Sequence, residues 1–276
     1  MRGLGRNLAF WAGGGLVLLF VLAALLGPWI YPVDPIAPDS DSLLRSPGRE
    51  APLGTDVLGR DLLARVLVGA RVSLSVGVLS RLIALLLGGL AGLVAGYFGG
   101  RLDSLLMRSA DLTLAFPALL LLIAVVAAFG PSLFTLFLAL GVLGWAPVAR
   151  VIRSRVILIR RMEYVEAAHA IGASTPRILF LHILPGCAGT FLVLFSMGLA
   201  TAIIAEGSLS FLGLGAQPPT ASWGTLIRDG FGYLRTAPWL TLVPGVVMAL
   251  AVLGFNLLGD ALRDASDPRG LPGREA

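Results

Sequence analysis

The chain is 276 residues long, 57% apolar and only 13% charged, with a formal net charge of +5 and strongly positive mean hydropathy. That composition excludes a soluble domain and predicts a polytopic membrane protein. All 21 basic residues are arginine, which excludes a lysine-dependent phosphate loop and any Schiff-base lysine. Cys187 is the only cysteine, and His169 and His182 are the only histidines, so a disulfide and a zinc–histidine cluster are excluded too.

Residues 8–30 form a charge-free run of 23 behind Arg2 and Arg6. The run is long enough to cross a bilayer and longer than the core of a secretory signal, so a retained first span is predicted. Residues 33–71 are polar and rich in Pro, Gly and Asp, and read as a long connection. Within it Leu62, Leu63, Val66 and Leu67 share a helical face, which fits a short piece lying along the membrane interface; a solvated loop is the plainer alternative. The next charge-free run, 82–100, is read as a span starting near Gly77. There Gly88, Gly92, Gly96 and Gly100 recur every fourth residue, which predicts a packing seam for a helix of this chain or of another. Simple glycine enrichment of membrane helices is the plainer alternative.

Residues 112–147 lie in a 38-residue charge-free stretch broken at Gly130-Pro131, which fits two spans joined by a tight turn. Residues 186–205 give a fifth span and 236–259 a sixth. The expected fold is therefore all-α, with six transmembrane helices and both termini on one side. Its expected parts are an anchor helix with an outer segment (1–72), a core of five spans (73–269) and a short tail (270–276).

Between the fourth and fifth spans, 163–185 reads as folded rather than as a loop. A helix through Glu166, Ala167 and Ala168 is expected to end at Gly172, in the left-handed conformation of a C-terminal cap. A second helix then starts at Ser174, whose hydroxyl is expected to cap free amides, with Pro176 tolerated in its first turn. Pro185 should end or bend that helix. Ala167, Ala168, Ala170 and Gly172 leave a small-residue face that another protein can approach closely. An amphipathic connector with a glycine break is the plainer alternative.

Charge placement orients the chain. With the N-terminus inside, the cytoplasmic segments hold 13 Arg against eight carboxylates, and the outer segments hold seven of each. The net charge then sits on the cytoplasmic side, so the basic pI needs no nucleic-acid partner. Arg81 and Glu206 remain, each inside an apolar run. Both are placed near the outer face at matched depth, so a direct ion pair is one reading. Arg81 reaching the headgroups alone, with Glu206 bonding nearby backbone, is the other.

The elbow also carries a family resemblance. Glu166-Ala167-Ala168, then Gly172, then Leu184-Pro185 preceded by His182, resembles the cytoplasmic EAA loop of ABC-importer permeases of the dipeptide/oligopeptide/nickel branch. Residues 54–61 and 69–74, Asp111–Ala118, Ala205–Gly215, Ser222-Trp223-Gly224, and Asn256–Asp260 with Asp267-Pro268-Arg269 are similar to further segments of that branch, in the same order. Two positions depart from the pattern: His169 stands where a basic residue is expected and Arg81 where an apolar one is expected.

The resemblance implies a permease of the type I importer architecture whose coupling loop (150–185) docks on an ATP-hydrolysing subunit through Glu166, Ala167, Ala168, Gly172, Ala173 and Ser174. It implies as partners a second, homologous permease, two ATPase chains and an extracytoplasmic substrate-binding protein, in the cytoplasmic membrane. ATP and magnesium would be bound by the ATPases, with no cofactor, metal or catalytic residue in this chain. Peptide is the default cargo of the branch; nickel, glutathione and oligosaccharides are alternatives. A polytopic membrane enzyme is disfavoured because the chain has one intramembrane carboxylate, no histidine pair and no lysine. An ion channel is disfavoured because no filter loop is visible.

Overall fold

The computed structural model describes residues 8–266. Arg2, Arg6, Asp267-Pro268-Arg269, Arg274 and the tail 270–276 lie outside the described residues. Within them the regular elements are helices, apart from one isolated bridge between Thr55 and Asp61.

The first span is α1 (Leu8–Ile30). Pro28 sits inside it and has no N–H to give the carbonyl four residues back, that of Ala24. Arg71 fills the gap: its Nε donates to the Ala24 carbonyl and its Nη2 to that of Leu25 at 2.9 Å. A charge that the sequence assigns to a loop thus closes a proline defect and fastens α1 to the next helix.

That helix, α2 (Leu62–Phe98), is 37 residues long and uninterrupted. This corrects two expectations: no separate interfacial piece exists at Leu62–Leu67, and the span does not begin near Gly77. The apolar face of Leu62 and Val66 is buried against Ala221, Leu226, Ala237 and Leu240 rather than against lipid. Asp61 caps the helix by accepting from Ala64 N at 2.8 Å and also accepts the Tyr31 hydroxyl at 2.9 Å. Partial burial, with help from the Asp61 carboxylate, pushes the Tyr31 phenol up to about 12. At 1.5 Å per residue α2 is about 55 Å long, well beyond the hydrocarbon thickness.

Next come α3 (Gly100–Leu114) and α4 (Ala118–Phe129), which meet at a bend of 85°. Pro117 biases Phe116 away from helical geometry, which breaks the rod there. The expected third span is therefore a bent pair, of which only α4 is wholly apolar. After the turn at Gly130, Ser132 caps α5 (Leu133–Leu143) by accepting from Thr135 N at 3.0 Å. Through Gly144, α5 leads into α6 (Trp145–Arg160), and the two form one long rod. Arg153 grips Asp103 of α3 with two donors, one at 2.6 Å, and Arg150 pairs with Asp111.

The elbow contains α7 (Glu163–Ala170) and the single turn α8 (Thr175–Arg177). A π-helical stretch, Ile178–Ile183, joins α8 to α9 (Leu184–Phe211). Helix therefore runs from Thr175 to Phe211: of the end or bend expected at Pro185, the end does not occur. The wide turn absorbs the proline: Leu184 N reaches back five residues to Leu179 O, and Pro185 then sits in the first turn of α9, where its missing N–H is harmless. The chain ends with α10 (Trp223–Phe231) and α11 (Trp239–Ser266).

Helix α2 is the hub, packed on α6, α5, α9 and α1, while α11 lies between α1 and α9. The elbow shares its core with Leu93 and Tyr97 near the C-terminal end of α2, and the 31–61 segment and α10 pack at the N-terminal end. Among the described residues five helical stretches, α1, α2, α5–α6, α8–α9 and α11, are long and apolar enough to cross a membrane, and the bent α3–α4 pair is a further candidate.

Candidate coupling elbow and intramembrane cavity

The turn after α7 is a full Schellman motif. Ala173 N donates to Ala168 O and Gly172 N to His169 O, both at 3.0 Å, with Gly172 at φ +77. A side chain at Gly172 would meet nothing within 4 Å, so glycine is required by backbone conformation and not by crowding. Ser174 precedes α8, but its hydroxyl makes no cap bond, which corrects the expected cap.

The elbow is held from below. Val165, Ala168, Ile178 and Ile183 are buried with Val156 and Ile159 of α6, and Ala173 packs against that cluster. Ala168 therefore belongs to the chain's own core, which corrects its expected place on the open face. Glu163, Tyr164, Glu166, Ala167, His169, Ala170 and Ile171 stay exposed. Ile171, missed by sequence reading, is 85% exposed at the tip. Behind the tip the His169 ring stacks on Tyr97 at 6.2 Å, and Arg160 lies 5.6 Å from the Tyr97 ring while donating to the Tyr97 carbonyl at 2.6 Å. A recess of about 430 Å³ is lined by Gly96, Arg160, Arg161, Glu166 and His169.

Three of the four ladder glycines face α6. A Cβ at Gly88, Gly92 or Gly96 would lie 2.4, 2.6 or 2.8 Å from the carbonyl oxygens of Trp145, Ala149 and Arg153 respectively. Steps of four on both helices keep the two backbones in contact along the seam. Gly100 is not part of it: it begins α3 at φ +59 with nothing within 4 Å.

Arg81 and Glu206 do not pair. Both belong to the antiparallel contact of α2 with α9, but two turns apart. Ser73 Oγ donates to Glu206 Oε2 at 2.8 Å, while Arg81 lies over Gly198 and its Nε donates to Leu194 O at 2.8 Å. Eight residues, from 73 to 81 on one helix and from 206 to 198 on the other, separate the charges by about 12 Å. The expectation of matched depth failed because α2 extends far beyond its charge-free run, which puts Arg81 near mid-helix.

Glu206 is fully buried. Its second oxygen accepts from Ser210 Oγ at 2.6 Å, and each serine in turn accepts a backbone amide: Trp223 N on Ser73 at 3.2 Å and Ala216 N on Ser210 at 3.4 Å. One carboxyl thus ties together α2, α9 and the start of α10. Arg81 lines a cavity of about 290 Å³ with Ser80, Thr113, Phe116, Leu122 and Thr201. A guanidinium at the centre of a membrane helix costs about 2.5–3.5 kcal/mol on insertion scales.

The comparisons with known proteins fit this architecture. The family model described as binding-protein-dependent transport system inner membrane component matches residues 88–270, which includes the elbow and its buried support. The chain belongs to that family. A second model, the N-terminal TM domain of oligopeptide transport permease C, matches residues 1–51 of this inner-membrane component. A putative peptide transport system permease protein of Brucella abortus is 43% identical over 97% of this chain and 90% of its own length. A dipeptide transport system permease protein of Alkalihalophilus pseudofirmus is 41% identical over 92% of this chain and 84% of its own. Among solved structures, the inward-facing MetNI methionine ABC transporter matches with a TM-score of 0.60 and 17% identity, over 74% of this chain and 96% of that one. That likeness concerns the fold.

Proposed function

We propose that this chain is one of two permeases of an ATP-driven, binding-protein-dependent importer of dipeptides or oligopeptides, and that its elbow takes up the motion of an ATPase partner. The observation that carries the reading is the elbow's construction. Its inner face is locked into α6 and α2 by Val165 and Ala168, with His169 stacked on Tyr97, and its outer face presents Glu166, Ala167 and Ile171 exposed. An exposed apolar tip on a rigid mount is suited to docking. The peptide cargo is supported by the relatives named for peptide transport. In this reading the bent α3–α4 pair counts as a span, giving six, and both termini are cytoplasmic.

The elbow is tested by Gly172→Val and Glu166→Lys. The first forces a β-branched residue into a left-handed turn, at a local cost of about 1–2 kcal/mol; the second reverses a charge on the docking face. Both proteins should insert and co-purify with the second permease, yet lose most peptide uptake per ATP hydrolysed. Normal uptake by both, with unchanged ATPase association, rejects the docking role. For sidedness, Ser222 is buried and unsuitable for labelling. Cysteines at the exposed Arg235 and Arg177, on a Cys187→Ser background, serve instead. An impermeant reagent should label the first from outside and the second only after the membrane is opened.

A further inference from the structure

Arg81 stands out among the described residues as a membrane-depth cation without a carboxylate. Its Nε is satisfied by the Leu194 carbonyl, and its two Nη groups make no hydrogen bond to the described residues. The chain makes room for it: a Cβ at Gly198 would sit 1.7 Å from Arg81 Nε, so any larger residue there would evict the guanidinium. The cavity it lines is otherwise mostly apolar. The hydroxyls of Ser80, Thr113 and Thr201 donate to carbonyls of their own helices, at Gly77, Ser109 and Gly198, so the guanidinium is the free donor on that wall. The cavity also borders the α3–α4 break through Thr113, Leu114, Phe116 and Ala118. Broken helices in transporters are tolerated where they line a cavity, and charges held at membrane depth mark substrate paths.

We infer that Arg81 is an intramembrane subsite for the carboxylate of a passing substrate, with the apolar wall receiving the adjoining side chain. The guanidinium fork, already held at Nε, matches a two-oxygen planar anion. At about 290 Å³ the cavity takes the terminal part of a peptide rather than a long chain. This rests on the peptide-import reading above.

The test uses the complete transporter, with its partner permease, ATPases and binding protein, in phosphatidylcholine–phosphatidylglycerol liposomes. Uptake of trialanine is compared with that of trialanine amide at saturating binding protein, whose affinity for each is measured separately. Arg81→Gln should lower the acid-to-amide uptake ratio about tenfold, the size of one charge-assisted hydrogen bond. Arg81→Lys should keep part of the preference. Gly198→Ala should lower the ratio with the charge unchanged, and it carries the test if Arg81→Gln does not assemble. An unchanged ratio in an active Arg81→Gln or Gly198→Ala transporter overturns the inference alone. So does an unchanged ratio together with loss of a co-purifying phospholipid, which assigns the guanidinium to a headgroup phosphate. A wild-type transporter that moves neither peptide overturns the import reading and this subsite with it.

Discussion

Helix α2 turns opposite chemistry toward α6 and toward α9. On the α6 side Gly88, Gly92 and Gly96 bring two backbones together over two turns, with carbonyls of α6 where side chains would stand. On the α9 side, Ser73 reaches Glu206 near the N-terminal end, Arg81 leans over Gly198 at the middle, and a cavity opens beside it. A glycine seam leaves no room for sliding, because any shift drives Cα atoms into carbonyl oxygens. The α9 side sets a few discrete polar contacts, with a cavity beside them, into an apolar interface of Ala70 and Leu74 with Leu199, Ala200 and Ile203. So the α6 side, which also carries α7, depends on absent side chains, whereas the α9 side depends on particular polar partners set in an apolar contact.

The largest expected effect lies on the rigid side. Gly92→Ala places a methyl group 2.6 Å from the Ala149 carbonyl and 2.9 Å from Ile152 Cβ. It should cost about 2 kcal/mol by thermal unfolding in detergent. Gly14→Ala, with nothing within 4 Å, should change stability by less than about 0.5 kcal/mol. Equal effects would mean that the seam is ordinary helix contact.

On the polar side, Glu206→Ala leaves two buried serine hydroxyls without their acceptor. It should cost about 1–3 kcal/mol by the same measurement. Glu206→Gln, which keeps one oxygen and adds donors, should cost less. A tolerated Glu206→Ala would show that Ser73 and Ser210 hold the junction unaided.

The smallest effect concerns the mount at the N-terminal end of α2. With Tyr31 pushed up to about 12 in the folded chain against the ordinary 10.0, folding favours the protonated phenol. The Tyr31–Asp61 contact therefore contributes fully below about pH 10 and is lost as pH rises toward 12. Absorbance titration should show one late tyrosine that disappears in Tyr31→Phe; its absence would remove this contact from the mount.

Much of the elbow was legible in the sequence because it is local. Gly172, Pro176 and the helix before them act within a few residues, and local pattern finds such features, although the cap expected of Ser174 does not form. The glycine ladder was legible up to Gly96, but Gly100 shares the spacing without sharing the helix, since Gly99 ends α2. The failures are those of register. Hydropathy marks where charges stop, not where a helix starts, so α2 was read as too short and Arg81 as too shallow. Arg71 is placed in a loop for the same reason, although Pro28 four residues after Ala24 already announces a free carbonyl. At Pro185 an end or a bend is expected, because a π turn that absorbs the proline has no periodic signature.

The elbow is tested most directly by proximity. Ile171→Cys on a Cys187→Ser background puts a thiol at the exposed tip. In the assembled transporter, a short bifunctional thiol reagent should join it to a co-purifying ATPase chain, with a yield that changes when ATP is bound. Arg235→Cys, placed on the outer side in the proposed topology, should give no such product. A transporter that hydrolyses ATP yet forms no ATPase adduct at Ile171, or forms it equally at Arg235, would contradict the coupling role of the elbow.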